Sequence, residues 1–378
     1  MIYFDNAATS LFKPPEVAEA VAAAITSFGN DGRGAHGAAL SSSRVIYETR
    51  VLLAELFGAS DPEQVVFTMN ATMALNMAIK GILKPQDHVI TTAMEHNSVL
   101  RPLYEMEELG VELTILPCDH LGRVSYQEME AAIKENTRAI ICTHVSNVTG
   151  NVNDIHQIGA MCKKHQLLFL LDASQSAGVF PINMEKDGIS VVCFTGHKGL
   201  LGPQGTGGLC IKRGLTLRPL VSGGTGVYSF LKGQPESMPE HLEAGTRNSH
   251  GIAGLHAALT YHKKYGIARI QKKEQELARY FYESLKNEKD LIFYGDFEAK
   301  ERGGIVTFNI GEYDSSLVSD ELASRFEIYT RAGAHCAPRM HESMGTKEQG
   351  AVRVSFSHQN TKEEVNIAVD AVRTLIYE

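Results

Sequence analysis

Lys198 is the only amine in the stretch TGHKGLLGPQGTGG, residues 195–208, where it stands beside a histidine and between glycines. Glycine keeps side-chain bulk away, so a ligand can approach this lysine closely. Asp172 closes a strongly apolar run, LLFLLD (167–172). An unpartnered carboxylate is costly in such surroundings and calls for a cation. A lysine that forms a Schiff base, with a carboxylate that keeps a pyridinium nitrogen protonated, is the pair that pyridoxal 5'-phosphate (PLP) requires. Asn70, Ala71 and Thr72 open a helix-period segment. Free backbone N–H groups and the helix dipole at such a start favour the cofactor's phosphate.

These residues need a frame. Apolar runs that read as strands alternate with helix-period segments: QVVFT (64–68), HVITT (88–92), RAIICTH (138–144), LLFLLD (167–172) and SVVCFT (190–195). Strands alternating with helices imply βαβ units and a mostly parallel sheet covered on both faces. In such sheets ligands sit beyond the carboxyl ends of the strands. There the chain puts NAT (70–72), EHN (95–97), HVSN (144–147), DASQ (172–175) and TGHK (195–198). From about residue 250 the pattern changes to a long helical region (251–286), two short strand candidates, IVTFNI and AVRVSF, and a last helix. That helix starts at Thr361 with Glu364 three residues on, a capping-box spacing. The fold class expected is α/β, a large domain with a mostly parallel sheet followed by a smaller α+β domain.

Taken singly, each residue has a plainer role. Lys198 fits a solvated loop, Asp172 the cap of the following turn, His96 and His197 structural positions, and Thr72 an ordinary helix start. Their order along successive strand ends is what argues for one shared pocket. The segment GRGAHG (32–37) matches a dinucleotide motif but follows an expected helix over 15–28 instead of a strand, so that reading fails. No P-loop pattern contains Lys198. His335, Cys336 and His341 lack a fourth ligand and tidy spacing, so no metal is expected.

The chain has 378 residues, 43% hydrophobic and 21% charged, with a net charge of −8. This composition is that of a globular protein and lacks the basic footprint of a nucleic-acid binder. No apolar run is long enough to span a bilayer and no export signal is evident, so a cytoplasmic protein is expected. Six cysteines without CxxC spacing read as free thiols. Cys142, Cys193 and Cys210 sit in apolar strand-like runs and Cys162 in a helix. Cys336 differs, standing in the small-residue loop RAGAHCAPRM with Arg331, His335 and Arg339 nearby. Cationic neighbours favour the thiolate. On the residues alone, a reactive thiol and an inert loop thiol both remain open.

The motifs DNAAT, RGAH, NAT, EHN, THVSN, DASQS, TGHK, EAGT, RAGAHC and VRVSF occur in an order spanning nearly the whole length. In this the sequence resembles the cysteine desulfurases of the class V aminotransferase family, nearer the Suf-type and selenocysteine-lyase branch. The resemblance implies PLP fold type I with a mostly parallel seven-stranded sheet, and a homodimer with its active site at the subunit interface. It implies an N-terminal segment (1–14) packing with the small domain, a large PLP-binding domain (15–255) and a small domain (256–378) carrying the cysteine loop. Carried over, Lys198 is the Schiff-base lysine, Asp172 the partner of the pyridine nitrogen, and His96 the residue stacked on the ring. Gln175 and Asn147 lie near the cofactor's phenolic oxygen and the substrate. Thr72, Ala71, Thr195 and His197 hold the phosphate, with Thr246 reaching in from the other subunit. Arg353 takes the substrate carboxylate by a bidentate pair, with His36 and Arg331 also at the substrate.

The reaction this implies converts L-cysteine, or L-selenocysteine, to L-alanine, with Cys336 taking the sulfur as a persulfide for a protein acceptor. The chain departs from the Suf-type pattern at Ala334, where another histidine is common, and at NAT, where a GTT-like turn is common. Two alternatives are another PLP-dependent lyase or aminotransferase with Cys336 incidental, and a non-catalytic sulfur-transfer scaffold.

Overall fold

The computed structural model of the protein describes residues 1–31, 34 and 36–377. Gly32, Arg33 and Ala35 of the GRGAHG segment lie outside the described residues, and the helix Pro15–Ser27 precedes them. After a short strand β1 (Ile2–Tyr3), the strands of the main sheet are β2 (Val65–Thr68), β3 (His88–Thr92), β4 (Glu112–Leu116), β5 (Thr137–Thr143), β6 (Leu168–Asp172), β7 (Val191–Thr195) and β8 (Gly207–Ile211). They form one seven-stranded sheet in the order β2-β8-β7-β6-β5-β3-β4. Only β8 runs against its neighbours β2 and β7.

The continuous apolar strands follow from burial on both faces. Phe169, Leu171, Val192 and Phe194 point into one core, with Leu53, Phe57 and Leu255 from covering helices. Leu170, Val191 and Cys193 point into the other, with Leu75, Ile79 and Leu103. This period-two alternation explains why each run reads as uniformly hydrophobic in sequence.

Several elements differ from the sequence reading. β4 and β8 are strands that the sequence did not reveal. In β8 the run GTGGLCI looks like a loop, yet its glycines mark a close approach. A Cβ on Gly207 would lie 2.7 Å from the Asn70 backbone, and one on Gly208 2.3 Å from the Val66 carbonyl. The expected helical region over 251–286 consists of two helices, Ser249–Tyr265 and Ile267–Leu285, separated at Gly266, whose φ of +93° ends the first.

The later part of the chain contributes β9 (Leu291–Tyr294), β10 (Ile305–Ile310), β11 (Ile328–Tyr329) and β12 (Val352–Ser355). β9, β10 and β12 make an antiparallel sheet in the order β12-β10-β9. β11 pairs in parallel with β1, bringing Phe4 into a core with Leu277, Phe281, Phe308, Val354 and Val365. The expected capping box is present. Thr361 Oγ1 accepts from the Glu364 N–H at 3.2 Å, and Glu364 Oε2 accepts from the Thr361 N–H at 3.0 Å. No helix among the described residues is long and apolar enough to cross a membrane.

Candidate active site

At the carboxyl ends of the parallel strands, a cavity is lined by Asn70, Ala71, Thr72, His96, Ser98, Thr143, Asn147, Asp172, Ser174, Gln175, Thr195, His197 and Lys198. Nine of the residues singled out in the sequence (Ala71, Thr72, His96, Asn147, Asp172, Gln175, Thr195, His197 and Lys198) meet here.

Each is placed by its element. Asn70 caps the helix Ala71–Ile82, its side chain accepting from the Met73 N–H at 2.9 Å. This turns the helix start, with Ala71 and Thr72, toward the cavity. His96 caps the helix Asn97–Glu108 through Nδ1, which accepts from the Ser98 N–H at 3.0 Å. Ser98 Oγ also lies 2.8 Å from Thr72 Oγ1, tying the two helix starts together. The sequence reading missed Ser98, although its place two residues after a capping histidine is itself a helix-start signal. Asp172 ends β6 and uses Oδ1 on the N–H and hydroxyl of Ser174. The plainer role as a turn cap is therefore real, but it occupies one carboxylate oxygen only.

The electrostatics suit an anionic, carbonyl-bearing ligand. Burial holds the Lys198 amine down to about 8, opposed by Asp172 and reinforced by Arg353 and Arg331. A fraction of neutral amine is thus available near neutral pH for condensation with an aldehyde. Burial, then Lys198, takes His96 down to about 4, so its ring is neutral. Since Nδ1 accepts from Ser98, the proton sits on Nε2. Burial likewise takes His197 down to about 4. His197 Nδ1 is 3.1 Å from Thr9 Oγ1.

One orphan identifies what the cavity suits. Thr195 Oγ1 is buried at the end of β7 and has no hydrogen-bond partner among the described residues. Beside a helix N-terminus and a lysine, that donor set fits a phosphate and an aldehyde on one small ring.

The remaining expected residues lie elsewhere. Thr246 lines a separate cavity with Phe67, Met69 and Met73. His36 is exposed and caps the helix Gly37–Phe57. Arg353 is buried on β12, with Nη2 on Asp5 Oδ1 at 2.8 Å and Nη1 on the Asn147 carbonyl at 2.9 Å. Its Nε has no partner among the described residues. The Arg331 backbone pairs with that of Arg353 through two hydrogen bonds of 2.8 and 3.1 Å.

Cys336 is exposed, and the other five thiols are buried or half-buried. Burial pushes Cys142 and Cys193 well above the ordinary thiol range, and Cys118, Cys162 and Cys210 to about 12. The cations expected around Cys336 are reduced in number. His335 is buried and held well below the usual range by burial and Arg353. Arg339 is bonded to Tyr104 Oη and Glu342. The loop is instead tied to the cavity wall. The Asn147 side-chain amide donates to the His335 carbonyl at 2.8 Å, and the Asn97 N–H donates to the Cys336 carbonyl at 2.7 Å. Among the described residues, no group of three or more His, Cys, Asp or Glu is arranged to hold a metal.

Comparison with known proteins agrees with this geometry. The family model described as aminotransferase class-V matches residues 2–367. A probable cysteine desulfurase of Methanothermobacter thermautotrophicus is 33% identical over 377 residues, covering 97% of this chain and 92% of its own. A second, of Pyrococcus abyssi, is 31% identical over 390 residues, covering 100% and 94%. The apo structure of a cysteine desulfurase from Thermococcus onnurineus NA1 superposes with a TM-score of 0.93 at 32% identity, covering 100% of this chain and 94% of that one. The Escherichia coli cysteine desulfurase CsdA, in its S-sulfonic acid form, gives 0.89 at 28% identity, covering 99% and 94%. The expected fold, fold type I with a mostly parallel seven-stranded sheet, is the one observed and shared with these neighbours. By family match, fold and the convergence of Lys198 and Asp172, the chain belongs to the aminotransferase class-V family.

Proposed function

We propose that the protein is a PLP-dependent cysteine desulfurase that converts L-cysteine to L-alanine and retains the sulfur on Cys336 as a persulfide. The observation that carries this reading is the meeting of Lys198 and Asp172 in one cavity to which the loop of an exposed thiol is tied by Asn147 and Asn97. When bound, PLP supplies an electron sink that makes carbon–sulfur cleavage feasible.

In this reading Lys198 would hold the cofactor and would take up the substrate's α-proton, a role its lowered pKa suits. The free oxygen of Asp172 would keep the cofactor's ring nitrogen protonated. Neutral His96 would hold the ring. Thr195, His197, Ala71 and Thr72 would bind the phosphate, and Gln175 and Asn147 would bind the phenolic oxygen. Arg353 offers its unpartnered Nε to the substrate carboxylate. The Arg331 guanidinium, close enough to Lys198 to act on its charge, would neutralise the same carboxylate. The thiolate of Cys336 attacks the substrate sulfur, whose bond to Cβ breaks. Cβ gains a proton, so L-cysteine and one thiol become L-alanine and one persulfide. A homodimer would bring Thr246 and His36 to the partner's site, and a protein acceptor would take the sulfur from the exposed loop.

The test supplies L-cysteine and, separately, L-selenocysteine to the PLP-loaded protein and measures alanine with sulfide or selenide. Cys336→Ala is run alongside. Alanine from L-cysteine that depends on Cys336 supports the reading. Transamination products without alanine overturn it.

A further inference from the structure

Beneath Cys336 lies a set of side chains to which the reaction above gives no task. His335 and His341 are both buried, with rings stacked at 5.4 Å and 17°. His335 Nε2 lies 3.1 Å from the Arg331 carbonyl, His335 Nδ1 lies 3.3 Å from His341 Nε2, and His341 Nδ1 lies 2.8 Å from Thr346 Oγ1. The direction of this chain follows from its first member. A backbone carbonyl only accepts, so His335 Nε2 carries a proton and, in a neutral ring, Nδ1 accepts. His341 Nε2 must then donate, its Nδ1 accepts, and the Thr346 hydroxyl donates. Burial, which takes His341 down to about 4 and holds His335 well below the ordinary range, keeps both rings in this neutral arrangement.

The chain ends at a strained place. His335 and Cys336 both have left-handed backbone, with φ of +50° and +56°, although neither is glycine. Two consecutive residues of this kind persist only where the surroundings over-determine them. Three tethers do so here: the Asn147 amide on the His335 carbonyl, the Asn97 N–H on the Cys336 carbonyl, and the ring of His335 held between His341 and Arg331. The Arg331 carbonyl that receives His335 also accepts the Arg353 N–H at 2.8 Å. The ring tether therefore fixes the thiol loop to the strand of Arg353.

We propose that Thr346, His341 and His335 form a positioning relay that holds the 335–336 backbone left-handed and so aims the Cys336 thiol. The relay acts through Cys336 and touches no reacting atom, and its catalytic consequence rests on Cys336 being the sulfur acceptor. Without it, residues 335–336 relax toward negative φ, and the Asn97–Cys336 hydrogen bond opens.

The experiment compares three full-length, PLP-loaded variants with the parent. His341→Phe keeps the stack but deletes both hydrogen bonds. His341→Gln retains an N–H near His335 Nδ1. Thr346→Val removes only the terminal donor. The readouts are kcat and KM for alanine formation from L-cysteine, and backbone hydrogen exchange at Asn97 measured against amides of β7. For His341→Phe, loss of the hydrogen bond that holds the His335 ring predicts a fall in kcat and a faster Asn97 exchange, each roughly tenfold, with KM and β7 exchange unchanged. His341→Gln recovers most of both effects. Parent-like kcat and Asn97 exchange in His341→Phe would overturn the relay, as would equal acceleration at β7 or a failure of His341→Gln to rescue. Should His341→Phe not fold, Thr346→Val decides, with a roughly threefold faster Asn97 exchange expected and no change fatal. If the parent releases no alanine, the desulfurase reading falls, while the Asn97 exchange still judges the relay.

Discussion

Asn147 joins the cavity to the thiol loop: its side-chain amide donates to the His335 carbonyl at 2.8 Å, while its own carbonyl receives Arg353 Nη1 at 2.9 Å. One residue thus sets the spacing between the cavity of Lys198, the buried Arg353 and the exposed Cys336. Removing the amide leaves a buried carbonyl unpaired, which costs about 1–3 kcal/mol. Asn147→Ala is expected to lower alanine formation by roughly tenfold or more, with the absorbance of bound PLP retained. Unchanged turnover would show that the loop needs no tether at this point.

The lowered pKa of Lys198 sets a pH dependence for cofactor uptake. Only the neutral amine condenses, and in the folded chain that form appears as pH rises through about 8. Cofactor-free protein mixed with PLP is therefore expected to develop its bound absorbance faster as pH is raised from 7 to 9, levelling above that range. A rate still climbing at the pH of an ordinary lysine, near ~10.4, would contradict the environment described for this amine.

Glu243 is a buried hub. It accepts from Arg50 at 2.7 Å, from Arg247 at 2.6 Å and, through its other oxygen, from the Phe67 N–H at 2.7 Å. Arg247 continues to Asp31. Cutting one partner from such a set leaves uncompensated charge, at a cost of roughly 3–5 kcal/mol. Glu243→Ala is expected to lose that much stability in denaturant titrations. A loss below ~1 kcal/mol would mean that the arginines reach water in the folded chain.

Glu274 and Glu95 give stability a slope with pH. Burial pushes each carboxyl up to about 8, against the His358 N–H for Glu274 and against Thr92 and Thr143 for Glu95. With the folded pKa raised above the unfolded one, the stabilisation is complete below about 4.5 and is lost as pH climbs through about 8. The protein is expected to melt at lower temperature at pH 9 than at pH 6. Glu274→Gln should remove part of that difference, on the order of 1–3 kcal/mol.

The sheet strands that carry chemistry were readable because burial on both faces made them unbroken apolar runs, each ending abruptly in polar residues such as Asp172 and Asn147. β8 was not readable. Its glycines answer to the backbone of Asn70 and to Val66, contacts that exist only after folding. The same limit hid Asp5, which meets Arg353 across 348 positions of sequence. It also hid the histidine chain under Cys336, whose spacing resembled a poor metal site and whose hydrogen bonds depend on the αL turn at 335–336. Local spacing had suggested a cationic nest around the thiol. Burial cancelled one member of it, and an ion pair engaged another.

Because β8 is antiparallel to β7 in the register Thr195↔Gly207, the chain segment bearing Lys198 departs from and returns to a single rim of the sheet. The Lys198 amine hangs from a closed hairpin, pinned at both feet, and not from a crossover to a parallel strand. With both feet held in register, one residue added to or taken from that loop has no slack in which to hide.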